Sequence, residues 1–333
     1  MSLLLYAAAV VLLAIALWDA FVTVFSAQGC GPVTAFWTSR LWRAALAVHE
    51  RRPMHRALSM IGPTMLVLSV LVWYTLLASG WVCLFMADAD SLIETPSKDR
   101  ITSWGQTVYF VGVTLAGVGY GDYVPAHFPW TLLSNLAALS SAVVLTVALS
   151  YILPVVSASI ERKYLARRVF SIGDTVEAFI DRCWCGPDSG ALDDYLLDVV
   201  GEIDRHAHKH LAYPVLHYFH SSDPKESPGR AVLLLSDAVF LIGAGSARAA
   251  GPPRSMLRVI NSGIDNFADL ATTGASGKRP RSERAELPDG LSVLEKLGLP
   301  TVDRRAFDER VAQHAARRLR LVGLCRGDGW RDC

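Results

Sequence analysis

Three runs of this chain are long and apolar enough to cross a bilayer, and nothing else in it constrains the fold as strongly. Leu3 to Ala27, Gly62 to Ala87 and Ala126 to Ile160 carry almost no charge, and each exceeds the roughly 18 residues that spanning hydrocarbon requires. The bilayer core holds no water, so backbone N–H and C=O groups must be satisfied within each segment and the runs are expected to be helices. They account for a mean hydropathy of +0.31 and a hydrophobic share of 52% in 333 residues. Residues 161 to 333, by contrast, have an ordinary soluble composition. The first run has no basic stretch ahead of it and is longer than the apolar part of a secretory signal, so it is expected to remain in the mature protein.

Basic residues in short loops predict orientation. Arg40, Arg43, Arg51, Arg52 and Arg56 follow the first run with only Glu50 against them, which places that loop in the cytoplasm. Asp88, Asp90, Glu94 and Asp99 outnumber Lys98 and Arg100 after the second run, which places this loop outside. Glu161 to Arg168 is basic again. The expectation is a multi-pass protein of the cell (inner) membrane, N-terminus outside and the large C-terminal domain cytoplasmic. A net charge of +1 gives no footing for nucleic acid, and no such partner is expected. The six cysteines are scattered and imply no disulfide framework in a reducing compartment. Cys183 and Cys185 alone are too few ligands for a tetrahedral metal.

Between the second and third runs lies Thr114-Leu115-Ala116-Gly117-Val118-Gly119-Tyr120-Gly121-Asp122-Tyr123-Val124-Pro125. Removing water from K⁺ takes rings of oxygen ligands, and backbone carbonyls supply them where consecutive residues point C=O to one side. Gly117, Gly119 and Gly121 can take the positive-φ backbone that this needs. The segment resembles the selectivity filter of the tetrameric potassium-channel superfamily, over roughly residues 61 to 158. The resemblance implies a homotetramer with K⁺ ions in a filter lined by Gly117, Val118, Gly119, Tyr120 and Gly121. It implies support from Thr114, Tyr109 and Asp122, with Val118 and Tyr120 packing the filter wall. Gly117 stands where most members have Thr, which removes a ring of hydroxyls from the innermost site and leaves a less selective monovalent cation channel as the alternative. A softer resemblance, to bacterial ion-channel-like membrane proteins, rests on Asp19, Gly31-Pro32 and the stretch Ala212 to His220.

The expected architecture is an all-α membrane protein of three transmembrane helices plus a re-entrant pore helix and filter, followed by a mostly helical cytoplasmic domain. Its segments are an N-terminal span over 1–28, an amphipathic linker over 29–60, a pore domain over 61–160, a helical domain over 161–272, and a flexible linker with a basic end over 273–333. Within the pore domain the outer helix is expected over 62–87, the pore helix over 103–116, the filter over 117–122 and the inner helix over 129–160. Ser103 and Gln106 have the spacing of a capping box. Pro154, near the end of the inner helix, is a gate candidate because proline kinks a helix.

Trp37 to His49 reads as a helix lying on the membrane surface or against the C-terminal domain. Asp19, the acid within an apolar span, is expected to snorkel to the interface or pair with Arg40 or Arg43, with a gating role as the alternative. Helical periodicity marks Ile172 to Cys183, Leu192 to Tyr213, Ser227 to Ile242 and Ser255 to Ala271. Phe240 to Arg248 begins like a dinucleotide fingerprint on an unsuitable helical background. His206 and His210, four apart on one helix face, with His217 and His220 nearby, are candidates for metal or proton sensing. Asp303 to Leu321 is arginine-rich and expected to touch lipid or a neighbouring subunit. A small-molecule, metal or proton regulator of this domain is therefore an open possibility. A rival reading is a membrane sensor or metal-dependent enzyme with a vestigial pore; no enzyme motif supports catalysis.

Overall fold

The computed structural model describes residues 2–26, 29–185, 190–246, 252–274 and 290–330. In chain order the elements are α1 (Ser2–Phe25), α2 (Pro32–Arg51), α3 (His55–Ser59), α4 (Ile61–Met86), β1 (Leu92–Glu94), α5 (Trp104–Leu115), β2 (Tyr123–Pro125), α6 (Trp130–Ile172), α7 (Val176–Trp184), α8 (Asp193–Ala212), α9 (Pro228–Gly245), α10 (Arg254–Gly274), α11 (Gly290–Lys296) and α12 (Arg304–Gly327). The protein is all-α, its only paired strands among the described residues being the short antiparallel β1 and β2. It divides into two units, Met1–Thr38 with Thr64–Pro154, and Ser39–Pro63 with Val155–Cys333.

The first unit holds the apolar helices. Trp73, Leu77, Trp81 and Phe85 recur every fourth residue along α4, so one stripe of that helix is buried. It meets Ala16 and Ala20 of α1, Phe110, Val111 and Leu115 of α5, and Trp130, Ala137, Val144 and Ala148 of α6. A Cβ at Gly80 would stand 2.8 Å from Leu13, so the glycine is what lets α1 and α4 approach here. The opposite faces stay uncovered, with Leu3, Val10, Trp18, Phe21, Val67, Leu71, Leu139 and Leu149 exposed. Apolar faces turned outward are the signature of helices whose solvent is lipid or another chain.

Asp19 is fully buried, and arginine is not what holds it. Its carboxylate accepts from the Val33 amide (2.7 Å), the Thr34 amide (3.2 Å) and hydroxyl (2.6 Å), and the Trp73 indole (2.9 Å). The acid thus caps the N-terminus of α2, where free amides and the helix dipole favour a negative charge. Arg43 instead donates to the Ser39 carbonyl of its own helix. The expected capping box is also absent: Ser103 makes no side-chain cap, and Gln106 donates to the Tyr123 hydroxyl at 3.4 Å.

The second unit is a helical bundle around α9, which packs against α7, α10, α11 and α12. By length and hydropathy α9 qualifies as a fourth membrane span. Yet 78% of its apolar window is buried inside the protein, against 28–39% for the three long spans. A helix that is apolar all round and enclosed by neighbours is a core helix. Gly173 permits the turn from α6 into α7, since a Cβ there would lie 2.5 Å from the Phe179 amide. Thr175 then caps α7 by accepting from the Ala178 amide.

α6 continues to Ile172, beyond the expected end at residue 160. Its basic extension is tied down within the unit: Arg168 pairs with Asp198 (2.8 Å) and Glu202 (2.7 Å), Arg167 with Asp223 (3.1 Å) and Glu226 (2.7 Å), and buried Arg162 donates to the Leu216 carbonyl (2.8 Å). Three arginines of the arginine-rich α12 are likewise used internally. Arg317 grips Asp265 with two bonds, Arg320 pairs with Asp269, and Arg318 makes a buried pair with Asp237 at 3.1 Å.

The surface-helix reading of Trp37 to His49 gives way to its rival over the part within this unit. Trp42 is buried with its ring 5.6 Å from Tyr218, and His49 contacts the Gly329 carbonyl at 3.2 Å. The expected flexible stretch, Thr273 to Pro288, lies almost wholly outside the described residues.

Candidate ion-conduction site

The loop between α5 and β2 is organised by three glycines. Gly117, Gly119 and Gly121 have φ of +70°, +63° and +80°, the left-handed region that residues with a Cβ avoid. Val118 and Tyr120 between them keep negative φ, Lys98 being the only non-glycine with positive φ among the described residues. In an extended strand successive carbonyls alternate sides. Alternating left- and right-handed residues cancels that alternation, so consecutive C=O groups can face one way. A Cβ at any of the three glycines would meet nothing within 4 Å in this chain. Backbone conformation, rather than crowding by Ala116 or Thr114, is therefore what reserves these positions.

Both ends of the loop are fixed. At the start, the Gly117 amide donates to Thr114 O (3.1 Å) and the Val118 amide to Val113 O (3.0 Å). At the far end, Thr95 donates through its hydroxyl to Gly121 O (2.5 Å) and through its amide to Asp122 O (2.8 Å). β2 pairs with β1 immediately afterwards. Tyr109 lies near Asp122, and its ring stands edge-on to Tyr123 at 5.7 Å. Phe110 turns away into the core against Phe85. Val118 and Tyr120 are 51% and 71% exposed. Pro154 lies inside α6, which continues helical past it.

The four candidate histidines divide into two groups. His206 and His210 are buried with rings 5.9 Å apart, and His217 lies another 5.9 Å beyond His210. They line a cavity of about 20 Å³ together with Arg162 and Asp328. Neither nitrogen of His210 has a hydrogen-bond partner among the described residues. Burial pushes His206 down to about 3 and holds His210 and His217 below the usual range, so none of the three is charged at neutral pH. Among the described residues no group of three or more His, Cys, Asp or Glu is placed to hold a metal.

His220 belongs elsewhere. Its Nδ1 contacts Asp328 O at 2.6 Å, its Nε2 lies 2.9 Å from His55 Nδ1, and Trp330 stacks on His55 at 4.7 Å. His49 and His55 were missed in the sequence because they lie more than 160 positions from His220, with no local pattern to link them. The fingerprint reading of Phe240 to Arg248 is overturned: Phe240 to Gly245 is the last part of helix α9, whereas the motif needs a strand leading into a turn. Arg248 lies outside the described residues.

Comparison with known proteins bears on the pore segment above all. Residues 70–158 match the family described as "Ion channel". The uncharacterized membrane protein YdjJ of Bacillus subtilis (strain 168) is 28% identical over 302 residues, covering 91% of this chain and 87% of the relative. The likeness thus extends from the apolar helices through the C-terminal unit. No solved structure matches the chain. Residues 70–158 are thus similar to an ion-channel family, in a chain whose helices are long and apolar enough to cross a membrane.

Proposed function

We propose that this protein is a K⁺-selective channel working as a homotetramer, with ions passing a filter lined by the carbonyls of Gly117, Val118, Gly119 and Tyr120. The observation that carries the reading is the alternation of backbone hand over residues 117 to 121. It gives each chain a short stack of oxygens able to face one axis, and four such chains complete rings that replace the hydration shell of K⁺. The exposed Val118 and Tyr120, with Trp104 and Val108 of α5, support the same assembly, because neighbouring chains would cover them. K⁺ is cargo and filter ligand at once. The placement of basic loops supports a cell-membrane protein with its N-terminus outside and the C-terminal unit in the cytoplasm. There that unit modulates the pore through a signal yet to be identified.

Purified protein in liposomes should pass K⁺ and Rb⁺ and pass Li⁺ poorly. Equal fluxes of all three would overturn selectivity, and a stable dimer as the sole species would overturn the assembly. Gly117 favours a second reading, a less selective monovalent cation channel, because its innermost ring lacks hydroxyls. Bi-ionic reversal potentials with K⁺ against Na⁺ separate the two.

A further inference from the structure

A cavity of about 1040 Å³ in the second unit lies away from the histidine groups, between the end of α9, the start of α10 and the middle of α12. It occupies the place where the sequence suggested a nucleotide loop, but its walls are helical. Its charged lining residues are Arg254, Arg310, Arg317 and the titratable His314, and no carboxylate is among them. Arg317 is neutralised by its two bonds to Asp265. Arg310 is not: its partner is the neutral Ala244 carbonyl, at 2.5 Å. Arg254 is exposed as the first residue of α10, beside first-turn amides that a helix cannot satisfy from within. Deeper in the wall His314 is buried, stacked on Phe240 at 4.1 Å, with Nε2 3.7 Å from the Asp237 carboxylate, which Arg318 already engages.

Two guanidinium groups without carboxylates, facing a concave space of ligand size beside a helix N-terminus, are the chemistry of phosphate recognition. We propose that this cavity is a binding site for a small phosphorylated ligand, held by Arg254 and Arg310 with the first turn of α10. Its occupancy couples α9, α10 and α12 at the centre of the C-terminal unit. The site does not depend on whether the pore conducts, because binding is read without ion flux.

The test is calorimetric titration of the full-length, detergent-solubilised protein with inorganic pyrophosphate and with ADP at fixed ionic strength. Saturable binding of at least one probe is expected. Arg254→Gln and Arg310→Gln should each weaken it about tenfold, as expected for loss of one charge-assisted contact. Arg258→Gln, on the same helix but outside the lining, should leave it unchanged. Gln313→Glu, which adds a carboxylate to the wall without removing a contact, should also weaken binding and guards against an Arg310 variant that misfolds. Absence of saturable binding by both probes, or equal affinity in wild type, Arg254→Gln and Gln313→Glu, overturns the proposal.

Discussion

His55 Nδ1 lies 2.9 Å from His220 Nε2, and this contact joins parts of the chain 165 residues apart. The tautomers follow from what surrounds it. His220 must donate through Nδ1 to Asp328 O, so its Nε2 is an acceptor and His55 is the donor. His49 accepts the Met54 amide at Nδ1 (3.1 Å) and donates through Nε2 to Gly329 O. The two donations to carbonyl oxygens survive protonation, but the two bonds accepted at ring nitrogens do not. A proton on Nε2 of His220 removes the acceptor that His55 uses, and one on Nδ1 of His49 removes the acceptor of Met54.

Acid should therefore loosen the second unit. Burial pushes His220 down to about 4 and His206 to about 3. Because the folded state binds fewer protons than the unfolded state, the contribution is fully present above about pH 6.5 and declines as pH falls from there toward 4 and 3. Melting of the solubilised protein between pH 7.5 and 4.5 should show a steady fall in Tm below about pH 6.5. In a His206→Phe and His220→Gln double variant the slope should be shallower. A pH-independent Tm would show that these rings are more open to water than the structure has them.

His210 offers a sharper case, since both its ring nitrogens are buried without partners. An unsatisfied buried polar group costs about 1–3 kcal/mol, whereas a phenyl ring of similar shape has nothing to satisfy. His210→Phe should leave stability equal or raise it by about 1 kcal/mol in denaturant titration. A clear loss would mean that a water in the adjoining 20 Å³ cavity bonds the imidazole.

At Asp19 the opposite outcome is expected. Replacing it with Ala would leave the Thr34 hydroxyl, two α2 amides and the Trp73 indole without their acceptor. The loss should be about 3 kcal/mol or more. Asp19→Asn should be milder, because one oxygen remains. Trp73→Phe should cost about 1 kcal/mol, as a single hydrogen bond does. Thermal unfolding in detergent checks the order, and an Ala variant no worse than the Asn variant would contradict it.

For Gly117 the obstacle to a side chain is the backbone. A non-glycine at φ +70° costs roughly 1–2 kcal/mol per chain, and a β-branched one more. Gly117→Thr should therefore lower stability, and with it the current of the proposed channel, even though the space is open. Gly112→Ala, in α5 where the Cβ also meets nothing, should be neutral or stabilising. Comparing Tm, Ba²⁺ inhibition and Na⁺ permeability separates the two positions. A Thr variant as stable as wild type would mean that residue 117 adopts another conformation in the assembled protein.

The apolar spans and the glycine motif were legible because hydropathy and backbone preference are local signals. Partners were not, since they depend on elements distant in sequence. Asp19 looked like an acid in need of arginine, and its real partners are amides at 33 and 34 and an indole at 73. The arginines of α12 had a legible complement: Asn261, Asp265 and Asp269 recur every fourth residue on α10, a stripe matching Arg317 and Arg320. The capping box failed because Gln106 has a nearer use at Tyr123. α9 misleads in the opposite direction, its composition giving no sign of whether lipid or protein surrounds it.

Thr95 holds the far end of the glycine loop by two bonds, one from its hydroxyl to Gly121 O and one from its amide to Asp122 O. A carbonyl already engaged by a hydroxyl is a poorer ligand for a cation, so in the proposed filter Gly121 would serve as a mooring. The segment that carries Thr95 is itself stiffened by the Arg100–Asp90 pair and the Glu94 amide on Asp99 O. Mechanically, the loop over residues 117 to 122 is a short cord tied at one end to α5 and at the other to this segment. A protein or peptide that gripped residues 90 to 100 would change the tension on the cord without ever touching the glycines.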